Sequence, residues 1–442
     1  MIRVRFAPSP TGWLHVGNAR LALVNYLFVR RHGGRFLLRL DDTDSERGSA
    51  EFAEAIGRDL RWLGIDWDET FRQSDRRDRY AEVAAVLEKS GRLYPCFESE
   101  EELRAKREQR ARRHLPPVYD RAMLRLTAAQ RAAAEAGGKR PYWRFRLSDG
   151  HATWHDQVLG RRQIKLPALS DPVLIRADGT PLYTFASVVD DLDSQVSHVI
   201  RGEDHVTNTG VQLDLIAALG GAAPQFAHLP LLLDEAGEKL SKRLDGLSLR
   251  RLRSDGVEAA AIAAYLARLG SSRDPVPATL AELAADFAFS QFSTSSARFD
   301  MAQVRALNRK VLATTGFADV AERLPAGATE AFWLAVRGNL DLLNEARGWW
   351  DVVAGSIVPP VIDGEGGFLR EALDLLPAEP WDGEVWPRWT GALKERTGRA
   401  GKALFLPLRL ALTGEDHGPD LKTLLPLIGR VRAAERLRVA AA

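Results

Sequence analysis

The most constraining feature is an alternation at the amino end. Ile2–Phe6 reads as a strand with β-branched positions, and "APSPTG" breaks it. From Val16 the apolar residues Ala19, Leu23, Val24, Leu27 and Phe28 recur at helical spacing, and Gly33 and Gly34 end that helix. "RFLLRL" follows as a short, nearly continuous apolar strand of the kind covered on both faces. A second helical pattern, Phe52, Ile56, Leu60 and Leu63, stops at Gly64. The β-α-β-α order predicts an α/β fold with a doubly wound parallel (Rossmann-type) sheet.

The pattern then changes. Residues 98–140 read as charged helices, "YWRFRL" alternates with period two, and "DPVLIRADGTPLYTFA" reads as a hairpin turning at "DG". These pieces form an α+β insertion. Parallel-sheet signals return in "VSHVIRGEDH", followed by a helix carrying Val211, Leu215, Ile216 and Leu219. "HLPLLLDEAGEKLSKRLDG" reads as a further strand and a polar loop. From about residue 247 the chain reads as helical with no clear strand, and "SIVPPVIDGEGG" marks a break between two helical pieces. The expected organisation is a catalytic first half over 1–80, an insertion over 81–183 and a catalytic second half over 184–244. All-α C-terminal domains then occupy 245–302, 303–370 and 371–442.

Composition narrows the class. A chain of 442 residues is too long for one core, and its 45% apolar and 27% charged content is that of an ordinary globular protein. No run approaches the roughly 18 apolar residues of a membrane span, and "MIRVRFAPSP" has no apolar core of signal-peptide length. The expectation is a cytoplasmic protein with no membrane partner. The one cysteine, Cys96, excludes a disulfide within the chain and a cysteine-based zinc cluster. The net charge of +2 hides basic clusters such as "RAKREQRARRHLPP" and "LRRLRSDG", which suit either phosphate backbones or a solvated helix face.

Chemistry is expected at the carboxyl ends of the strands. After the first strand, Gly12 and Gly17 permit close backbone approach, and His15 lies where a helix begins, a place that favours phosphate. A histidine there also serves as an ordinary cap. After the second strand stand Asp41, Asp42 and Asp44, which suit an ammonium group, while Asp44 also suits capping of the next helix. Arg201 ends a later apolar strand, and Arg5 sits inside the first, an awkward place for a charge without a partner. Arginines and acids at neighbouring strand ends fit a substrate carrying both charges, such as an amino acid. They equally fit a structural ion network. Lys239 and Lys242, three apart in a polar loop, suit a triphosphate or a solvated loop.

His15-x-Gly17 and Lys239-x-Ser-Lys242, in that order and separated by this sheet and insertion, resemble the two signatures of class I aminoacyl-tRNA synthetases. "RFAPSPTGWLHVGNAR", "GGRFLLRLDDTD", "SDPVLIRADGTPLYTFASVVDD", "HVIRGEDHVTNT" and "KALFLPLRLALTG" make the resemblance closer, to bacterial glutamyl-tRNA synthetases over nearly the whole chain.

The resemblance implies activation of L-glutamate by ATP with Mg2+, then esterification of the terminal adenosine of tRNA(Glu), with tRNA(Gln) left open as a second acceptor. It implies catalysis by His15, Lys239 and Lys242, and ATP contacts from Pro8, Ser9, Gly12, His15, Gly17, Asn18 and Lys242. Glutamate contacts would come from Arg5, Ser9, Asp41, Tyr183, Ser187 and Arg201. Asp41 and Ser187 depart from the commoner glutamate and asparagine. The insertion would hold the acceptor end and 245–302 would contact the stem. The last two domains would read the anticodon, with Asn339 near the final base. Trp333, Trp349 and Trp350 read either as base-stacking surfaces or as core. Cys96 stands where some members begin a zinc cluster whose other ligands are missing here, so no zinc or other protein-held metal is expected. A monomer is the family pattern. A small-molecule nucleotidyltransferase would not need the insertion or the helical tail, a tRNA-base glutamylating enzyme would be shorter, and a glutaminyl-tRNA synthetase would end in β-barrels. An RNA-binding paralogue without activity would not need His15, Gly17, Lys239 and Lys242.

Overall fold

A computed structural model of the chain describes residues 1–43, 49–234, 236–238, 240 and 247–442. They divide into two compact units, one of Met1–Arg251 with Ala263–Asp300, the other of Leu252–Ile262 with Met301–Ala442. Among the described residues no helix is long and apolar enough to cross a membrane.

In the first unit the strands β1 (Arg3–Phe6), β2 (Arg35–Leu40) and β3 (Glu69–Arg72) pair in parallel. A second antiparallel layer is built from β4 (Leu93–Cys96), β5 (Tyr142–Phe145) and, further along the chain, Val173–Ile175. Between these come the hairpin strands β6 (His151–Asp156) and β7 (Gly160–Lys165). With Val173–Ile175 as β8, the parallel sheet resumes at β9 (His198–Gly202) and β10 (Gln225–Leu229). The Ser197 amide donates to the Arg3 carbonyl at 2.9 Å, which sets β9 beside β1. The order is therefore β3-β2-β1-β9-β10, continued by β6 and β7. The direction of winding reverses between β1 and β9, and α/β sheets open a crevice at such a point.

Sequence dictates these elements locally. Helix α1 (Val16–Arg31) buries Ala19, Leu23, Val24, Leu27 and Phe28, and Gly33 follows at φ 61°, where a side chain would be strained. Helix α2 (Ala50–Trp62) takes Ser49 as its cap, whose hydroxyl accepts from the Phe52 amide at 3.1 Å. The charged stretch forms α4 (Glu100–Arg112) and α5 (Ala128–Ala136), after α3 (Arg77–Lys89); α4 and α5 bury no residue and depend on capping boxes at Ser99 and Thr127.

Two expectations need correction. The hairpin at "ADGT" has a true turn, with Gly179 at φ 88°, but its second arm is one isolated bridge between Ile175 and Pro181. Pro181 cannot donate to a ladder, and Tyr183 opens helix α6 (Tyr183–Asp193), which buries Phe185, Ala186, Val188 and Val189. The region after residue 247 does contain a strand, Ala297–Arg298, which pairs in parallel with Leu232–Leu233. Two residues leave no period to read.

The second unit is helical. One core gathers residues from Leu312 to Ala441, with Trp333 and Trp389 fully buried at its centre. Helix Gly366–Asp374 resumes after the proline- and glycine-rich break and belongs to the same core. Trp333 donates its indole N–H to the Thr315 carbonyl at 2.9 Å, so its core reading holds, while Trp349 and Trp350 are half-buried against the same cluster.

Candidate active site

A cavity of about 810 Å³ opens at the carboxyl ends of β1, β2, β9 and β10. It brings together Arg5, Pro8, Ser9, Gly12, His15, Gly17, Asn18, Asp41, Tyr183 and Arg201 from the expected set. Ser187 does not line it; it is buried, with its hydroxyl accepting from Arg39 at 3.3 Å. Lys239, Lys242 and Asp44 lie outside the described residues, although Leu240 lines the cavity.

The nucleotide-binding end begins with a cap. The His15 Nδ1 accepts the Gly17 amide at 3.0 Å, so the imidazole caps α1. A Cβ on residue 17 would stand 2.8 Å from His15 Cε1, so the glycine leaves room for the ring. Burial lowers the His15 pKa to about 4, so the imidazole is neutral at pH 7. With Nδ1 accepting, the proton sits on Nε2, which remains as a donor. The cap and the phosphate-donor readings of this histidine are therefore compatible.

Below lies the structural ion network that the sequence left open, with members Arg39, Asp190 and Asp191 that sequence reading did not name. Arg39, 1% exposed, donates from Nε to Asp41 at 2.6 Å and from its terminal nitrogens to Asp41, Asp191 and Ser187. Arg5 donates from Nε to both oxygens of Asp191 at 3.1 and 3.3 Å. Asp190 accepts from Gln73, Arg76 and Tyr80. Burial pushes the Asp41 carboxyl up to about 6 against the pull of Arg39. Asp42 is engaged elsewhere, accepting from the Ser74 amide and hydroxyl. The missed signal was an arginine inside "RFLLRL", which its apolar neighbours concealed.

Arg201 is different. Its Nε donates to His228 at 3.3 Å, one terminal nitrogen to the Tyr183 hydroxyl at 3.0 Å, and the other to Thr209 and Gln212 at 2.7 Å each. Among the described residues no carboxylate lies within ion-pair distance of it. Burial lowers its pKa from the usual arginine value. Four of its five N–H groups are occupied by neutral partners, which leaves one donor and a net charge for a ligand.

Cys96 is buried, its sulfur 3.7 Å from the Tyr119 hydroxyl, which itself donates to Glu98 at 2.6 Å. Burial pushes the Cys96 thiol up to about 12. Among the described residues no three His, Cys, Asp or Glu side chains are grouped to hold a metal ion. In the helical unit Asn339 is exposed beside a 450 Å³ cleft lined also by Arg309, Trp349 and His417.

The sheet order, the crevice at its reversal and the histidine-capped first helix are those of a doubly wound nucleotide-binding domain, and the family match makes it a class I synthetase catalytic domain. The family described as "tRNA synthetases class I (E and Q), catalytic domain" matches residues 1–313, and "Anticodon binding domain" matches 364–441. The chain is 65% identical over 438 residues to glutamate–tRNA ligase 2 of Granulibacter bethesdensis, covering 99% of this chain and 98% of the relative. It is 64% identical to glutamate–tRNA ligase 2 of Acidiphilium cryptum, with both chains covered fully. A crystal structure of a glutamate tRNA ligase from Elizabethkingia meningosepticum with its amino acid superposes with a TM-score of 0.87 at 27% identity, covering 100% of this chain and 99% of the other. The chain belongs to the glutamate–tRNA ligase family.

Proposed function

We propose that the protein activates L-glutamate with ATP and transfers it to the 3′-terminal adenosine of tRNA(Glu), as a cytoplasmic monomer. The observation that carries this reading is Arg201, a buried cation at a strand end with only neutral partners among the described residues. It lacks a carboxylate, and a glutamate side chain supplies one. Glutamine, whose amide is uncharged, would leave that charge uncompensated.

Arg5 adds positive potential to the same carboxylate, and Tyr183, having accepted from Arg201, presents its own hydroxyl proton. Ser9 is assigned to the substrate backbone and Asp41 to the ammonium group. Ser187 acts indirectly, through Arg39. Pro8, Gly12, Gly17 and Asn18 form the loop and helix start that receive ATP, with the His15 Nε2–H donated to a phosphate oxygen.

In the first step a glutamate α-carboxylate oxygen attacks the α-phosphorus, the bond to the β-phosphate oxygen breaks, and pyrophosphate leaves. In the second, a ribose hydroxyl of the terminal adenosine attacks the acyl carbon, the acyl–phosphate bond breaks, and AMP leaves with the hydroxyl proton passing to its phosphate or to solvent. No covalent enzyme intermediate is required, so the side chains position the reactants and stabilise charge. Lys239 and Lys242 are assigned to the phosphates by resemblance. Magnesium enters as the counter-ion of the triphosphate, with no side chain assigned to it.

The test is charging of tRNA(Glu) and tRNA(Gln) transcripts with labelled glutamate, ATP and magnesium. Charging of tRNA(Glu) alone defines a discriminating enzyme, and charging of both makes tRNA(Gln) a second acceptor. Charging of neither by a folded protein that binds tRNA overturns the reading.

A further inference from the structure

The neutral partners of Arg201 lead away from the cavity to a pair that no part of the reaction uses directly. His228, on β10, and Asp156, at the end of β6, are both fully buried. The His228 Nδ1 faces an Asp156 oxygen. Its Nε2 faces the Thr209 hydroxyl at 2.9 Å and the Arg201 Nε–H at 3.3 Å. Two requirements agree on one tautomer. Asp156 needs a donor at Nδ1, and the Arg201 Nε–H needs an acceptor at Nε2. Burial lowers the His228 pKa, which keeps the ring neutral beside the guanidinium. Burial alone would raise Asp156, but the His228 bond and the Leu159 and His228 amides hold it below the ordinary carboxylate range.

We propose that Asp156 and His228 are positioning residues for glutamate recognition: Asp156 fixes the proton of His228 on Nδ1, and Nε2 thereby holds Arg201 in its ligand-binding orientation. This rests on the reading of Arg201 as a glutamate contact. It goes beyond that reading by naming two residues that touch no substrate and set its specificity.

Asp156 is placed to make this choice sharply. One of its oxygens accepts the amides of Val158 at 3.1 Å, Leu159 at 3.0 Å and His228 at 3.1 Å. The other is left for the imidazole and, at 3.3 Å, the Trp154 indole N–H. In Asp156→Asn the three amides demand the amide oxygen, so the NH2 group turns toward Nδ1. His228 must then carry its proton on Nε2, where it meets the Arg201 Nε–H. Two donors face each other and the guanidinium is displaced.

The experiment is steady-state charging of tRNA(Glu) by the full-length chain, with glutamate and ATP varied separately. Asp156→Asn is expected to raise the glutamate KM by about tenfold or more while kcat and the ATP KM change by less than about threefold. His228→Gln, whose amide oxygen can replace the Nε2 acceptor, is expected to retain most of the glutamate affinity that His228→Leu loses. In an Arg201→Lys background the Asp156→Asn effect should largely vanish, because its target is gone.

An unchanged glutamate KM in Asp156→Asn and His228→Leu overturns the proposal. So does a fall in kcat, with a rise in both KM values, that tracks loss of thermal stability and is equal in both backgrounds. If Asp156→Asn does not fold, the His228→Gln and His228→Leu pair decides alone, equal glutamate KM values being the adverse result. An Arg201→Lys enzyme with wild-type glutamate KM would instead refute the pocket reading beneath the proposal.

Discussion

Two buried arginines stand at the ends of strands in the same sheet and are compensated in opposite ways. Arg39 is surrounded by carboxylates, touching Asp41 and Asp191 directly and Asp190 at 3.7 Å. Arg201 is held by two hydroxyls, an amide oxygen and an imidazole nitrogen. Arg39, with its counter-charges in place, serves the fold, while Arg201, held only by dipoles, keeps a charge for a ligand. The contrast separates residues that hold the crevice together from residues that wait for substrate.

The sharpest test is to remove each cation. Arg201→Leu is expected to lower kcat/KM for glutamate on the order of 10²–10³-fold while the thermal midpoint moves little. Arg39→Leu should behave in the opposite sense, losing about 3–5 kcal/mol in denaturant unfolding because Asp41 is left buried without its cation and Asp191 keeps only Arg5. Equal losses of stability in both variants would remove the distinction.

Gly17→Ala sharpens it at the nucleotide end. The added Cβ meets the His15 ring at 2.8 Å, so the ring must move, and the ATP KM should rise about tenfold with the glutamate KM nearly unchanged. The smallest effect concerns pH. With Asp41 raised to about 6, lowering the pH from 8 to 5 removes its charge from the pocket, and the glutamate KM should climb as pH falls through 6. The sign for stability is reversed. A carboxyl raised above its unfolded value binds a proton more readily when folded, so this group adds stability as pH falls and withdraws it as pH rises. A glutamate KM flat from pH 8 to 5 would mean that Asp41 meets no ammonium group.

What was legible in the sequence follows from range. The helix burying Leu23, Val24 and Leu27 and the strand "RFLLRL" were readable because their periods are local. His15 and Gly17 were readable for the same reason, being neighbours whose contact is confined to one turn. Arg39 was not: it sits among the apolar residues of "RFLLRL", and although Asp41 is two positions away, its other carboxylate partner Asp191 lies 152 positions away. His228 and Asp156 are 72 apart and each resembles an ordinary strand residue. Tyr183 was identified as a pocket residue but read as part of a hairpin arm, since a proline-containing bridge and a helix start give the same short apolar run. The lysine loop, recognised by its resemblance to a family signature, has no described geometry at Lys239 and Lys242 to set beside that reading.

One small contact has a long consequence. His15 forms an isolated backbone bridge with Ser248, and the Leu249 amide donates to the Leu14 carbonyl at 2.8 Å. The chain just beyond the second signature is thus tied to the chain just before the first, closing everything between them into a ring. Lengthening a ring whose ends are already joined carries little penalty, about 0.6 kcal/mol for each doubling of a flexible segment. An evolving lineage can therefore enlarge or trim the loops of the intervening module without reopening the nucleotide end of the crevice.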